Sequence, residues 1–513
     1  MSKILFKSVS LVSLMTFISR VLGFGRDLLA AQIFGVSASV DAFYIAFKIP
    51  NFMRNLFAEG AFSQAFVPVL SDFRQNKKND EIRTFIQCMA ASLIVILLIV
   101  TILGVLGAPY WISLFAPGLE PYSFGLASGM LRITFPYLML ISLSAFVGSV
   151  LNCYGIFAVP ALTPALLNIC LIATAYGFSH LTTPVESQAW GVLIAGFVQL
   201  FFQIPFLNRI GILVIPKFRG HNEGVKRVLK LIIPALFGSS FAQISILLNT
   251  ILASFLITGS ITWLYYSERL AYFPLGVFGV ALATVALPQL SRQHAAGSTE
   301  GFSSVLDWGL RCNLLIGIPA AITMLMLSGP LVICLFYYGK FTIHDVLMTQ
   351  QSVIAYAIGL PAFMLAKILS SAFYSMQDTK TPVRISIISL IIGMSLSVIL
   401  IIPLGHTGLA LATGLSAWAN VVCLWVLLFR KGIQRIKKGW LKFLMQLVFA
   451  NSMILIFFWW DYNDIITWSS WNGAQRFIHI VLLGVGSIAI YVFFLWLCNM
   501  RLANFKALTI PNQ

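Results

Sequence analysis

The sequence predicts an all-α polytopic membrane protein of about fourteen spanning helices: two six-helix lobes in parallel repeat, plus two further helices at the C-terminal end. Three observations predict it. Of 513 residues, 59% are hydrophobic and only 10% charged, with a mean hydropathy of +0.92, whereas soluble domains carry about 25% charged residues. Apolar runs reach the roughly 20 residues a spanning helix needs, as in "CMAASLIVILLIVTILGVL" (88–106) and "ISIISLIIGMSLSVILIIP" (385–403). Basic residues also crowd into alternate loops. A membrane β-barrel would instead show alternating segments of about ten residues.

Taken in order, the candidate spans are 9–35, 41–70, 84–108, 124–153, 159–179, 187–207, 228–257, 262–291, 304–335, 347–374, 383–403, 407–429, 441–460 and 476–500. The opening "MSKILFKSVSLVSLMTFIS" has the basic start of a signal peptide in Lys3 and Lys7. Arg20 and Arg26 follow at once, with no small-x-small cleavage site before them, so it reads as a retained first helix. Spans 1 and 2 carry most of the intramembrane charge, and spans 3 to 12 are largely apolar. The basic stretch "RKGIQRIKKGW" (430–440) introduces spans 13 and 14.

The net charge of +17 sits in particular loops. Arg74, Lys77, Lys78 and Arg83 share one. Arg209, Lys217, Arg219, Lys226 and Arg227 share another, and Arg430, Lys431, Arg435, Lys437 and Lys438 a third. The loops 109–123, 180–186, 258–261, 404–406 and 461–475 hold no Lys or Arg, and Lys340 alone breaks the alternation. This is the positive-inside bias. It places both termini and the basic loops in the cytoplasm, against anionic lipid, and nucleic acid is not needed to explain the charge.

The chain also repeats itself. "GAPYWISLFAPG" (107–118) aligns with "SGPLVICLFYYG" (328–339) at an offset of 221, "FVPVLS" (66–71) with "ALPQLS" (286–291), and "SVLNCYGIFAVP" (149–160) with "SAFYSMQDTKTP" (371–382). Six spans fall in each period. An even number gives both copies one orientation and puts the pseudo-two-fold axis along the membrane normal. The expected organisation is a lobe at 1–222, a lobe at 223–432 and a helical pair at 433–513.

Ionisable residues within spans are few: Arg20, Arg26, Asp27, Asp41, Lys48, Arg54 and Glu59 in the first two, Glu268 and Arg269 in span 8, Lys367 in span 10, and Arg132 and Arg311 nearer span ends. A central Arg or Lys costs about 2.5–3.5 kcal/mol on insertion scales, so each needs a task or a partner. Arg20 and Asp27 are seven residues apart and share a helix face, as do Asp41 and Lys48, so both pairs can form. Arg20 and Arg26 lie about 120° apart around the helix and about 9 Å along it. Gly23 and Gly25 between them leave room for bending or close approach. Lys48 and Arg54 repeat that spacing around Pro50, a residue that kinks helices, and Lys48 aligns with Arg269 at the repeat offset. Cations outnumber Asp27, Asp41 and Glu268 in this layer, with Glu59 nearer the cytoplasmic end. A wet cleft so lined attracts anions, and arginine suits bidentate contact with phosphate or diphosphate. The alternative is that the charges only lock helices together through Arg–Asp pairs. Lys367 and Arg132 read as structural or snorkelling.

Other chemistry has little support. The seven cysteines are scattered without a C-x-x-C and read as small buried hydrophobes. The six histidines lack metal-ligand spacing, so no metal or other cofactor is expected. No P-loop occurs, and "GFGRD" lacks the soluble βαβ context of a dinucleotide fingerprint. A transporter is expected, not an enzyme.

"SRVLGFGRD" (19–27), "DAFYIAFKIPNFMRNLFAEGAFSQAFVPVLS" (41–71), "YYSERL" (265–270) and "YSMQDTKTPV" (374–383) resemble the MurJ (MviN) family, the bacterial lipid II flippases of the multidrug/oligosaccharidyl-lipid/polysaccharide exporter superfamily. The resemblance covers essentially the whole chain. It implies two lobes around a central cationic cavity, with the last two helices forming a groove for the lipid tail. It implies movement of undecaprenyl-diphosphate-linked disaccharide-pentapeptide from the inner to the outer leaflet of the cytoplasmic membrane by alternating access. The family's cavity arginines map onto Arg20, Arg26, Arg54 and Arg269. Lys48 joins them in headgroup binding, with Ser19, Asp27, Asp41, Glu59 and Glu268 supporting. Lipid II and membrane lipids are the implied partners, and peptidoglycan-synthesis enzymes are further candidates. Two departures matter. Some relatives use an acid of span 7 for sodium, but 228–257 has no Asp or Glu, so that site is not carried over. Where some relatives place an acid four residues after Glu268, this chain has Tyr272.

Three other readings compete. A drug or cation exporter of the same broad fold would want uncompensated membrane carboxylates, and the balance here has the opposite sign. A flippase for another lipid-linked glycan, such as an O-antigen unit, is equal by physics. A scaffold for wall-synthesis enzymes gives no reason for a buried cation layer.

Overall fold

A computed structural model describes residues 3–55, 62–178, 183–217, 222–433, 439–461 and 464–500. Among the described residues all regular structure is helical, and ten helices are long and apolar enough to cross a membrane. In chain order the described elements begin with α1 (Lys3–Phe34), α2 (Ala38–Arg54), α3 (Ser63–Asn76), α4 (Asn79–Leu106), α5 (Ala108–Phe115), α6 (Pro121–Thr134), α7 (Tyr137–Cys153), α8 (Ala158–Gly177), α9 (Glu186–Arg209) and α10 (Glu223–Ser254). There follow α11 (Ser260–Pro274), a π-helical turn at Leu275–Gly279, α12 (Val280–Ala295), α13 (Thr299–Met326), α14 (Ser328–Phe336), α15 (Ile343–Ser375), α16 (Lys380–Arg430), α17 (Trp440–Trp460), α18 (Ile465–Ser470) and α19 (Gly473–Leu497).

The expected repeat is present in the order of elements. α1 and α10 are each 32 residues long, and α10 begins 220 residues after α1. α4 and α13 are each 28 residues long at the same offset, and the short helices α5 and α14 follow them. The 33 residues of α6 and α7 correspond to the 33 residues of α15.

The 51-residue α16 covers two expected spans, 383–403 and 407–429. Gly405 breaks it with φ 55°, ψ −131°, a left-handed φ that favours glycine. The two limbs lie antiparallel: the Ser416 hydroxyl donates to the Ser389 carbonyl at 2.6 Å, and a Cβ on Gly393 would meet Ser416 at 2.9 Å. α16 is therefore a helical hairpin, the counterpart of α8 and α9.

The chain forms two compact units, residues 1–262 and 263–513. In the first, α1 packs on α8, α2 on α6, α7 on α9, and α10 against α3, α4 and α5. Its core stacks Phe66 on Phe85 with ring centroids 5.7 Å apart, and Phe146 closes over Phe66 at 5.2 Å. In the second, α15 is central, packing on α12, α13, α14 and α16, with Leu306, Ile368, Phe373 and Leu424 fully buried. Exposed apolar side chains such as Leu103 and Ile402 are what acyl chains require of a surface.

The C-terminal pair α17 and α19 is fastened to the rest of the second unit at three places. Trp440 donates its indole N–H to Asp307 Oδ1 at 2.6 Å, and Asp307 also pairs with Arg311 Nε at 2.8 Å. Arg311 lies 5.0 Å from the Trp440 ring centroid and 5.4 Å from that of Phe443. The Tyr491 hydroxyl donates to the Leu315 carbonyl at 2.7 Å. Arg476 is buried and donates Nε to Trp468 O at 3.0 Å, Nη1 to Tyr337 O at 3.1 Å and Nη2 to Ser469 O at 2.7 Å. Arg311 and Arg476 are thus consumed by packing and carbonyls of their own unit.

Candidate functional site

The charged stretch of the first unit begins on α1. Its apolar flanks make a helix long enough to span, and Gly35, with φ 65°, turns the chain into α2. The Ser37 hydroxyl oxygen accepts the Val40 N–H at 3.4 Å, capping α2, whose first turn carries Asp41 and whose last turn carries Arg54. An acid at the N-terminus and a base at the C-terminus both suit the helix dipole.

The two arginines of α1 have different surroundings. Arg20 is exposed, whereas Arg26 and Asp27 are buried. Arg26 donates Nε and Nη2 to Asp27 Oδ1 at 3.0 and 2.5 Å, and Nη1 to Asn168 Oδ1 at 3.1 Å. The expected partner of Asp27 was Arg20. Asp27 pairs with Arg26 instead, because an arginine stem is long enough to curl back onto its neighbour. Asn168, on α8, also donates Nδ2 to the carbonyl of Ser19 at 3.1 Å, so Ser19 contributes a backbone oxygen there. The close approach expected at the glycines occurs at Gly23, where a Cβ would lie 3.3 Å from Asn168 Nδ2; a Cβ on Gly25 would meet nothing within 4 Å.

On α2 the expected Asp41–Lys48 pair gives way to other contacts. Asp41 is buried and turns to the chain before and within the first turn of α11. Its Oδ2 accepts the Gly259 N–H at 2.6 Å, and its Oδ1 accepts the Thr262 N–H at 2.9 Å and hydroxyl at 2.5 Å. These are amides a helix start leaves without internal acceptors. Lys48 is half-buried and donates to Thr250 Oγ1 of α10 at 3.2 Å. Arg54 is half-buried and donates Nη2 to Asn55 Oδ1 at 3.2 Å. Glu59 lies outside the described residues.

Pro50 sits inside α2 and has no N–H for the Ala46 carbonyl one turn back. The buried hydroxyl of Thr134, at the end of α6, donates to that carbonyl at 3.2 Å. Lys48 therefore stands in a proline-interrupted turn whose lost bond is replaced from another helix.

In the second unit, Arg269 is exposed on α11 and donates Nη2 to the Tyr265 hydroxyl at 3.0 Å, its guanidinium carbon 5.2 Å from the Tyr265 ring centroid. Glu268 is half-buried. Tyr272 packs its ring on Phe363 at 5.4 Å and Tyr356 at 6.2 Å. α2 and α11 are corresponding helices of the repeat, so Lys48 and Arg269 occupy matching elements.

The sequence reading missed Asn168 and Thr134. Asn168 had a signal, since "PALLNICLI" places one amide in an apolar span. Thr134 had none, because its partner is a carbonyl 88 residues earlier. Among the described residues no group of three or more His, Cys, Asp or Glu could hold a metal ion.

The sequence model of the family described as "Lipid II flippase MurJ" matches residues 30–471. The chain belongs to the MurJ family. A probable lipid II flippase MurJ of Vibrio cholerae serotype O1 is 43% identical over 519 residues, covering 99% of each chain. A solved structure of a lipid II flippase MurJ in an inward closed conformation matches with TM-score 0.79 and 30% identity, over 94% of this chain and 97% of the other. An inward-facing multidrug resistance MATE family transporter of the MOP superfamily matches with TM-score 0.63 over 81% of this chain and 94% of the other; at 16% identity the likeness is one of fold. The four stretches carrying the MurJ resemblance fall on α1, on α2 and α3, on α11, and on the turn between α15 and α16.

Proposed function

We propose that this chain is a lipid II flippase of the bacterial cytoplasmic membrane, a transporter and not an enzyme. It moves undecaprenyl-diphosphate-linked peptidoglycan precursor from the inner to the outer leaflet by alternating access, supplying cell-wall synthesis. Membership of the MurJ family along almost the whole chain carries this reading.

The cations supply the chemistry. Arg20, Arg26, Lys48 and Arg54 of the first unit and Arg269 of the second bind the diphosphate headgroup, with Ser19, Asp27, Asp41, Glu59 and Glu268 holding them or balancing their charge. Arginine forks match phosphate oxygens two at a time, and a low-dielectric protein surround strengthens each contact. Only the diphosphate and sugars need shielding from hydrocarbon. The polyprenyl tail stays in lipid along the pair 433–513, and the two six-helix lobes comprise 1–222 and 223–432. Both termini face the cytoplasm.

The test is depletion of a host's sole lipid II flippase. The chain should sustain growth and lipid II translocation, and Arg20→Ala at equal membrane level should not. Growth arrest despite normal accumulation of the wild-type chain would overturn the reading.

A further inference from the structure

We propose that Asn168 is a positioning residue for the headgroup: through one amide it sets the guanidinium of Arg26 and the register of α1 beside it. The inference rests on the reading of Arg26 as a headgroup cation.

Asn168 is buried within α8 and touches three positions of "SRVLGFGRD". Its Oδ1 accepts from Arg26 Nη1 at 3.1 Å, its Nδ2 donates to the Ser19 carbonyl at 3.1 Å, and the same Nδ2 would lie 3.3 Å from a Cβ on Gly23. Chemistry fixes which way the amide points. A guanidinium has no acceptor and a carbonyl no donor, so a flipped amide would lose both bonds. Asp27 takes the Nε and Nη2 edge of Arg26 while Asn168 takes Nη1. Contacts on two edges hold the plane of the fork, where a salt bridge alone would let it swing. Bidentate recognition of phosphate depends on that plane, and preorganised donors bind without the cost of ordering them.

Gly23 fits the same account. It stands one turn after Ser19 and three residues before Arg26, where the amide crosses α1. Any side chain there must push the amide by a few tenths of an ångström.

The experiment measures lipid II affinity of the purified full chain for Asn168→Ala, Gly23→Ala, Arg26→Ala and the doubles Asn168→Ala/Arg26→Ala and Gly23→Ala/Arg26→Ala. A hydrogen bond to a charged group is strong enough that Asn168→Ala should weaken binding about tenfold. Gly23→Ala should weaken it by a smaller factor. Neither should weaken it further once Arg26 is alanine. A staple that only joins α1 to α8 would lower melting temperature and yield, yet leave the affinity of the folded protein unchanged. That result overturns the proposal, as does a full additive loss in the doubles. If Asn168→Ala does not accumulate, Gly23→Ala and its double decide by the same criteria. Wild-type affinity in Arg26→Ala would overturn the headgroup reading of Arg26 itself, and this inference with it.

Discussion

Arg20 and Arg26 show how far helix arithmetic reaches. Six residues of spacing put them on different faces, and one is exposed while the other is buried. The same arithmetic gave Arg20 and Asp27 a shared face but not a shared bond, since Asp27 pairs with its chain neighbour. Periodicity says which side chains lie on one stripe; rotamers decide which of them touch. Thr134 is the sharper case, because nothing local marks it as the group that satisfies Ala46. Thr134→Val keeps the shape and leaves that carbonyl buried without its bond, at a cost of about 1–2 kcal/mol. Thermal unfolding in detergent should show a lower melting temperature for Thr134→Val, whereas Thr134→Ser, which keeps the donor, should stay close to wild type. Equal stability of Thr134→Val and wild type would mean that the proline-interrupted turn does not depend on α6.

Among the elements, long apolar helices were the easiest to read, and their ends and interruptions the hardest. Span 383–403 was legible from composition, but the left-handed glycine that turns α16 back is a single residue. The turn before it, between α15 and α16, is held by Asp378. Its Oδ1 accepts the Thr381 N–H at 3.0 Å, and its Oδ2 accepts the Thr381 hydroxyl at 2.7 Å and the Lys431 ammonium at 3.0 Å. The Thr381 hydroxyl first, then its amide and Lys431, hold the Asp378 carboxyl down at about 2 from an ordinary 3.8. A carboxyl with a depressed folded value adds stability above its unfolded value and loses it as pH falls through the folded one. Asp378→Asn removes that titration. The melting-temperature gap between wild type and Asp378→Asn in detergent should be constant above about pH 5 and shrink as pH falls from 4 towards 2. A gap that stays constant over that range would show that the carboxylate charge adds nothing to the turn.

For the whole molecule, the charge alternation between loops and the repeat were both visible in the sequence, and together they make a claim about parity. Asn79 lies in the loop bounded by Arg74 and Arg83, and Ser470 in the Lys- and Arg-free loop 461–475; both are exposed. The expected spans 3 to 13 separate them. That is an odd number, so the two residues should face opposite sides of the membrane, with Asn79 in the cytoplasm by the positive-inside rule. The count turns on α16. If its 51 residues crossed once, the parity would be even and both residues would share a side. The Ser416–Ser389 bond across the limbs requires two crossings. In a background without the seven native cysteines, Ser470→Cys should react with an impermeant maleimide in intact spheroplasts. Asn79→Cys should react only after the membrane is permeabilised. Labelling of both in intact spheroplasts would break the parity, and with it the two crossings that the antiparallel limbs of α16 require.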